Sequence, residues 1–468
     1  MNPIDLAFTP AVEQAKLIRT KAVSPLELVE LYLERIDRLD KTLGSYFTVT
    51  ADRAIADATA KTEQLTNTEN PDDLPPFFGV PIPIKDLAAV KDVPWSLGVA
   101  ALRQQVANFD TGVVSRIKQA GFVILGKTAT SQLGALPYPE PPGFPPARNP
   151  WNLDYTPGGS SGGAAAAVAA GLCPVAQGSD GGGSVRGPAA CCGLVGIKPS
   201  RGRISSAPLG EQLMGFAAYG SLARTVADAA ALLDVMSGYI PGDPYWLPDP
   251  NPSFLEASRQ SPGLLRIGVV TEFEGFGKPE LAWEKAVLDT AKRLEKLGHT
   301  VADRSFNAYD LIDPFTVIWK SSIAAARIPV DLLDSINRWN LENAVSVGTF
   351  IQARNQVHII ARRIVSSFQD IDVLLLPTKL HSAIRIGEWE EFSPEETLSK
   401  VIRWIFPCPP FNATGQPSIA LPAGFDDKGL PLSVQLVGKP AAESMLIRLA
   451  AQLEIDRPWS GDRPEFAL

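Results

Sequence analysis

The chain has 468 residues, of which 45% are hydrophobic and 20% are charged, and its formal net charge is −8. This is the composition of a globular protein that is long enough to bury a core without disulfide or metal support. The acidic balance, with no basic block, argues against nucleic-acid binding, and no apolar run approaches the ~20 residues that a membrane span needs.

The four cysteines carry no metal or disulfide signature. Cys191 and Cys192 are adjacent, and no Cys-x-x-Cys spacing occurs. Reduced thiols of this kind are typical of a cytoplasmic protein. The start, "MNPIDLAFTPAVEQAK", lacks a basic region followed by an apolar one, so we expect no signal peptide and a cytoplasmic location.

Helices are predicted first along the chain. Apolar residues recur at helical spacing through residues 1–70, and Ser24 followed by Pro25 is typical of a helix start. An apolar strand in "FFGVPIPIK" then ends at Lys85. "TGVVSRIKQAG" predicts an amphipathic helix, which leads into a buried strand at residues 122–125.

Strands and helices alternate through the rest of the chain. Buried strands are predicted in "GLLRIGVVTEF", "IDVLLLPT", "SIALPAG" and "LPLSVQLVG", with helices between them. Such alternation predicts an α/β fold in which helices cover both faces of a central, mostly buried, mixed β-sheet. We expect a single large domain: a helical layer at 1–70 packs on a core at 71–468, which includes a mainly helical segment at 311–367.

Two motifs match known patterns but are predicted to be coincidental. Residues 121–128, "GFVILGKT", fit the P-loop pattern, yet their apolar centre predicts a strand where a phosphate-binding loop is required. Ser160 fits a G-x-S-x-G nucleophile elbow, but no strand precedes it. Of the three histidines, His299 and His358 fall in a turn and a helix, and only His381 is suitably placed. A Ser–His–Asp triad is therefore disfavoured.

Two glycine-rich loops are the most unusual feature of the sequence. "GGSSGG" covers residues 158–163 and "GSDGGGSVR" covers 178–186, with a helix predicted at 163–170 between them. The three glycines before Ser184 would let successive backbone amides converge on one point, as in an oxyanion hole. A flexible turn is the alternative interpretation of the same glycines.

Lys85 is the alternative to histidine as a base. It follows the apolar run "GVPIPI", which would carry it into the interior, where desolvation favours the neutral amine. The more common outcome for such a lysine is to extend from the strand end toward solvent beside Asp86.

The segment 158–205 resembles the signature of the amidase signature family of serine hydrolases. The upstream "GVPIPIKDL" and the downstream "FNATGQPSIALPAG" and "GLPLSVQLVG" resemble other motifs of that family. Separate motifs agree in order and spacing, and the likeness covers nearly the whole chain. Stretches such as "GSLARTVADAAALLDVMSGYIPGD" are most similar to the branch that contains bacterial hydrolases of nylon-oligomer cyclic amides.

The resemblance implies a Ser–cis-Ser–Lys triad. Ser184 would be the acylated nucleophile, Ser160 the relay held by a cis peptide bond, and Lys85 the terminal base. The oxyanion hole would be formed by the amides of Gly181, Gly182, Gly183 and Ser184. Supporting positions would be occupied by Ser161, Asp180 and Arg186. The family commonly has a larger residue, often threonine, where this chain has Gly181, which concerns substrate preference more than activity.

The implied function is hydrolysis of the C–N bond of a linear or cyclic carboxamide to a carboxylic acid and ammonia or an amine, through an acyl-enzyme and without a metal or cofactor. The expected partner is a small-molecule amide rather than nucleic acid or a membrane, and a homodimer stays open. The catalytic A-type subunit of a glutamyl-tRNA(Gln) amidotransferase is the alternative function, which would require partner subunits. A non-catalytic binding protein on this scaffold is disfavoured because all three triad residues are present.

The substrate is not determined by the sequence. Residues 137–146 and 311–365 are candidate linings of the acyl pocket, with Trp319, Trp339 and Trp404 as candidate walls. Core packing is the more common role of each tryptophan.

Overall fold

A computed structural model describes residues 2–211 and 213–468. In this part of the chain eleven strands form one mixed sheet. In chain order the strands are β1 Tyr46–Val49, β2 Pro81–Lys85, β3 Val123–Thr128, β4 Val175–Asp180, β5 Val195–Lys198, β6 Ala218–Ala223, β7 Arg266–Val269, β8 Thr300–Asp303, β9 Val373–Pro377, β10 Ser418–Phe425 and β11 Pro431–Gly438.

The α-helices surround this sheet. They are α1 Pro3–Ala7, α2 Ala11–Arg19, α3 Pro25–Leu43, α4 Ala51–Asn67, α5 Gly112–Gln119, α6 Gly162–Ala169, α7 Arg186–Cys192, α8 Val226–Met236, α9 Phe254–Ala257, α10 Leu281–Lys296, α11 Ile312–Ala325, α12 Ser335–Glu342, α13 Val347–Ser366, α14 Pro394–Ile405, α15 Pro409–Ala413 and α16 Glu443–Asp456.

The strand order in the sheet is β1-β3-β2-β4-β6-β5-β10-β11-β9-β7-β8. β2 pairs in parallel with both β3 and β4, whereas the central strands from β4 to β9 pair antiparallel. β7 pairs in parallel with β8 and β9. The predicted α/β fold with a mixed central sheet is confirmed.

Side chains alternate between two apolar cores, one on each face of the sheet. In β3, Ile124 packs in one core, and its neighbours Val123 and Leu125 pack in the other. The first core receives buried residues of α8 and α16, and the second receives those of α3 and α6. Because both faces are covered, strands such as β3 and β9 carry apolar residues on both sides instead of alternating regularly with polar residues.

Local signals set the ends of α3. The Ser24 hydroxyl accepts a hydrogen bond from the Glu27 amide at 3.1 Å, and the Glu27 carboxylate accepts one from the Ser24 amide at 2.7 Å. This capping box, with Pro25 as the first helical residue, satisfies amides that have no partner within the helix. Gly44 ends the helix in the left-handed region at φ 64°, a conformation that glycine adopts without steric cost.

Four strands differ from the sequence-based expectation. The prediction of helices alone over residues 1–70 is wrong at β1, where Tyr46 pairs antiparallel with Thr128 of β3. The strands β4, β5 and β6 were not predicted, because glycine, serine and aspartate interrupt their apolar pattern. The strands β4, β5 and β6 are stabilised by burial on both faces of the sheet, because the intrinsic strand propensity of their residues is weak.

Residues 123–128 form β3, so the predicted strand at 122–125 is confirmed and the P-loop match is coincidental. Three helices, α11 to α13, fill most of the segment 311–367. Across residues 2–211 and 213–468, none of the helices combines the length and the apolar character needed to cross a membrane.

Two helix-starting glycines offer a test of packing. A Cβ on Gly163, the second residue of α6, would overlap the Ala129 amide nitrogen and the Ser45 carbonyl oxygen, whereas a Cβ on Gly348, the second residue of α13, would meet only the Ser346 hydroxyl at 3.7 Å. We expect Gly163→Ala to destabilise the protein by about 1–3 kcal/mol through overpacking. Gly348→Ala, the matched control, should leave stability unchanged or raise it by up to about 1 kcal/mol. Thermal unfolding midpoints measure both, and equal midpoints would contradict the packing of α6.

Candidate active site

The parallel strands β2 and β4 bring Lys85 beside Ser179. Lys85 is the last residue of β2 and is 1% exposed, and its backbone amide donates to Gln177 Oε1 of β4 at 3.1 Å. Its Nζ donates to Ser160 Oγ at 2.8 Å, to Ser179 Oγ at 3.1 Å and to the Ser179 carbonyl oxygen at 3.4 Å. The amine is therefore surrounded by hydroxyl and carbonyl oxygens.

The environment of Lys85 favours its neutral form. Burial lowers the pKa of Lys85 to about 7, and the charge of Asp180 opposes this shift only in part. The carboxylate nearest in sequence, Asp86, pairs instead with Lys127 at 2.7 Å, and both side chains are buried. Extension of Lys85 toward solvent beside Asp86 is therefore not observed.

The two glycine-rich loops are joined through serines. The peptide bond between Gly159 and Ser160 is cis. The Ser161 amide donates to the Ser184 carbonyl oxygen at 3.2 Å. The Ser161 hydroxyl donates to the Ser179 carbonyl oxygen and accepts from the Ser179 amide, each at 3.2 Å. Ser161 therefore fixes the first loop against the end of β4 and against the loop that follows it.

Ser160 and Ser184 open into one cavity. This cavity has a volume of about 830 Å³, and its lining includes Ser160, Ser179, Gly181 and Ser184. Ser184 follows the glycine turn after β4 and is 9% exposed. A bound molecule in this cavity can thus contact both hydroxyls, with the Lys85 amine directly behind Ser160.

The backbone amides of the second loop fall into two groups. The Gly183 amide donates to Asp180 Oδ1 at 2.7 Å and is therefore already paired within the loop. The assignment of Gly183 to the oxyanion hole stays a prediction. The amides of Gly181, Gly182 and Ser184 donate to no group within residues 2–211 and 213–468. These three amides are free to bind an anionic oxygen.

Asp180 holds this loop in place. Besides the Gly183 amide, its carboxylate accepts hydrogen bonds from the amides of Val185 and Arg186 and from the Arg186 guanidinium at 2.8 and 2.9 Å. Burial alone would raise the pKa of Asp180, but the charge and hydrogen bonds of Arg186 hold it well below its usual range. The ion pair is fully buried.

Two residues that were not predicted complete this network. Asn412 Nδ2 donates to the carbonyl and Oδ1 of Asp180, both at 2.9 Å, and Asn412 Oδ1 accepts from Arg186 at 2.6 Å. Gln435 Oε1 accepts from Arg186 at 2.6 Å. Asn412 lies in "FNATGQP" and Gln435 in "PLSVQLVG". Both stretches belong to motifs quoted for the family resemblance, and these motifs were the signal from which the two residues could have been identified.

Ser179 is a further residue that the sequence analysis did not identify. It contacts the Lys85 amine, whereas the predicted supporting residue Asp180 points to the other side, toward Arg186. Period-2 alternation along β4 separates the two side chains. Ser179 could have been found only if β4 had been recognised as a strand.

The space beside Gly181 is already occupied. A Cβ at this position would lie 2.8 Å from Leu213 Cδ1 and 3.6 Å from Trp319. The Leu213 side chain therefore approaches the glycine closely, although Gly181 also lines the 830 Å³ cavity.

The three candidate wall residues differ in position. Trp319 lines the 830 Å³ cavity. Trp404 is fully buried, and the Lys379 Nζ lies 3.3 Å from its ring centroid. The ring of Trp339 packs 3.9 Å from Lys320 Nζ. Of residues 137–146, Pro137 borders a small cavity next to Ser184.

Comparison with known proteins gives consistent matches over the full length. The family model described as Amidase matches residues 27–447. A provisionally named amidase of Synechocystis sp. is 52% identical over 460 residues, covering 98% of this chain and 90% of that relative. The solved structure of 6-aminohexanoate cyclic dimer hydrolase superposes with a TM-score of 0.92 at 31% identity, covering 99% of each chain. The A-type subunit of the Thermotoga maritima glutamyl-tRNA(Gln) amidotransferase has a TM-score of 0.79 at 28% identity, with 98% and 97% covered.

Removal of Arg186 should destabilise the protein strongly. Arg186→Leu leaves the Asp180 carboxylate buried without a cation, and we expect a loss of about 3–5 kcal/mol in the free energy of unfolding. The matched control is Arg385→Leu, which removes an exposed ion pair with Asp154 and should cost less than about 1 kcal/mol. Urea unfolding measures both, and a similar midpoint for the two variants would contradict a structural role for the buried pair.

Proposed function

Because the chain belongs to the amidase family, we propose that it hydrolyses the C–N bond of a carboxamide through an acyl-enzyme on Ser184, releasing a carboxylic acid and ammonia or an amine. The family resemblance predicted from the motifs is confirmed, and the protein is a hydrolase of carbon–nitrogen bonds. The acyl-enzyme and the roles of individual residues are the proposed part.

One observation carries the proposal. The Lys85 amine lies 2.8 Å from the Ser160 hydroxyl in a buried position, where its pKa is about 7. A neutral amine can accept a proton, whereas an ordinary surface lysine is protonated at the same pH. Ser160 and Ser184 line the same cavity, which supports Ser160 as the group that passes a proton between Ser184 and Lys85.

In the first half of the reaction, Ser184 Oγ bonds to the amide carbon. Its proton passes to Ser160, and the Ser160 proton passes to Lys85. The oxyanion is stabilised by the free amides of Gly181, Gly182 and Ser184. The C–N bond then breaks, and the proton returns through Ser160 to the leaving nitrogen.

In the second half, water attacks the carbonyl carbon of the Ser184 ester, and its proton passes through Ser160 to Lys85. The carboxylic acid leaves, and Ser184 regains its proton. Every proton that Lys85 accepts is returned within the cycle, so the residues of this chain suffice for the proposed chemistry.

Among known neighbours, the 6-aminohexanoate cyclic dimer hydrolase supports a small linear or cyclic amide as the substrate. The alternative, an amidotransferase of the A type, is not favoured, because the neighbour of that kind superposes less closely. Four further points stay predictions: a small-molecule partner, the absence of nucleic-acid and membrane partners, a possible homodimer and a cytoplasmic location.

Covalent labelling tests the nucleophile. A fluorophosphonate probe should label the wild-type protein and leave Ser184→Ala unlabelled, because the alanine has no hydroxyl to phosphonylate. Ser205→Ala is a matched control: Ser205 is also buried but hydrogen-bonds to Asp243 at 2.7 Å, and its variant should label normally. Labelling of Ser184→Ala at the wild-type rate would overturn the assignment.

The pH dependence of kcat/KM tests the base. Lys85 must be neutral to accept a proton, so kcat/KM should rise as the pH increases through about 7 and stay high at alkaline pH. Lys85→Arg, which stays charged, should lose at least ~10³-fold in activity.

A histidine base would also make kcat/KM rise with pH in a similar range, so a histidine variant is the required control. His381→Gln should keep the wild-type limb, because His381 contacts Ser382 and Trp404 rather than the serines of the cavity. Loss of the limb in His381→Gln would contradict the lysine assignment.

A further inference from the structure

A second, apolar cavity adjoins the proposed catalytic site. It has a volume of about 80 Å³, and its lining includes Gly182 of the oxyanion loop, Phe315, Trp319, Val401 and Phe406. A cavity needs about 10–15 Å³ to hold one water-sized group, so this chamber of about 80 Å³ accommodates a chain or ring of roughly six heavy atoms. Trp319 borders both this apolar chamber and the 830 Å³ cavity.

The proposed mechanism assigns the two cavities to different halves of the substrate. The leaving nitrogen must take its proton from Ser160, which lines the 830 Å³ cavity and is not among the residues that line the apolar chamber. The leaving amine therefore occupies the larger cavity. Ser184 does not line the apolar chamber itself, but the small cavity that Ser184 lines shares Gly182 and Trp319 with that chamber. The apolar chamber is therefore left for the acyl group.

Asn340 is the exception in this apolar lining. It lies on α12, is 2% exposed, and its Oδ1 accepts no hydrogen bond from any residue that the structure describes. The Oδ1 of the neighbouring Asn337 also lacks a partner, but its Nδ2 donates to the carbonyl and Oε1 of Gln132, both at 3.2 Å. The Asn340 carboxamide, by contrast, makes no hydrogen bond at either end to the residues that the structure describes. Buried polar groups normally have a partner, so an unpartnered carboxamide in a cavity indicates one that a ligand supplies.

The residues that line the apolar chamber indicate that the group pairing with Asn340 is neutral. Apart from Asn340 and Thr316, the lining residues are aliphatic, aromatic, glycine or proline, and none is charged. An ionised carboxylate or ammonium would lose its hydration there without a counter-ion. A carboxamide can donate or accept after rotation, and it therefore suits a neutral amide or hydroxyl.

We propose that the acyl group of the substrate is an apolar chain or ring of about six heavy atoms that carries a neutral hydrogen-bonding group, an amide or a hydroxyl, which pairs with Asn340 in the apolar chamber. This inference rests on the proposed acyl-enzyme function and specifies its substrate class.

Matched acyl 4-nitroanilides test the inference in the wild-type protein. The heptanoyl and 6-hydroxyhexanoyl compounds have the same number of heavy atoms and differ only in the terminal group. Because an apolar terminus leaves Asn340 unpaired, kcat/KM should be about tenfold or more higher for the hydroxyl compound. A monoadipoyl compound, which ends in a carboxylate, should be the poorest of the three.

A variant assigns this selectivity to Asn340. In Asn340→Leu the preference for the hydroxyl compound over the heptanoyl compound should disappear or reverse. Asn343→Leu, an exposed position at the end of the same helix, should keep the wild-type preference. Thermal unfolding shows whether each variant is folded, and the wild-type series is decisive without them.

The outcomes separate the inference from the function on which it rests. Equal kcat/KM for the heptanoyl and 6-hydroxyhexanoyl compounds, or an unchanged preference in Asn340→Leu, would overturn the inference while leaving the acyl-enzyme intact. Hydrolysis of acetyl 4-nitroanilide by Ser184→Ala at the wild-type rate would overturn the proposed function itself.

Discussion

The site depends on a lysine amine that is buried without a carboxylate partner. Lys85 is almost fully buried at the end of β2, and its Nζ donates hydrogen bonds to oxygens of Ser160 and Ser179. This is possible because Lys127 neutralises Asp86, the acidic residue next to Lys85. If Asp86 paired with Lys85, the charged form of the amine would be stabilised and its pKa would rise. Lys127, the lysine of the P-loop-like segment, lies in the neighbouring strand β3. By pairing with Asp86 it keeps that carboxylate away from the Lys85 amine.

A second buried ion pair gives the nucleophile loop its shape. Asp180 takes hydrogen bonds from three amides after the glycine turn and is neutralised by Arg186. The same pair is held by Asn412 and Gln435, which come from the C-terminal part of the chain. The proposed oxyanion donors are thus preorganised by residues more than two hundred positions away, and they need not reorganise when charge develops on the substrate.

The geometry of the cavities extends this arrangement to the substrate. The larger cavity contains both hydroxyls, and the apolar chamber starts at Gly182. Leu213 Cδ1 lies only 2.8 Å from where a Cβ at position 181 would be, so a larger residue there requires the Leu213 side chain to move. The two proposals therefore place selectivity and catalysis on different sides of one loop.

The sequence by itself determined the family and the α/β class, because these depend on motifs and on apolar runs that are local in the chain. The same motifs predicted Lys85, Ser160 and Ser184 as the catalytic residues. The sequence also predicted the start of α3 and the strand character of residues 122–125, which depend on capping and hydrophobicity. Only the tertiary structure decided that Lys85 turns inward, that Ser179 contacts it, that Gly183 is occupied by Asp180, and that Asn412 and Gln435 support Arg186. It also decided that β4, β5 and β6 are strands although their residues have weak β-propensity. In each case the energy comes from contacts between segments distant in sequence, through burial, ion pairing and strand alternation, which no local pattern contains.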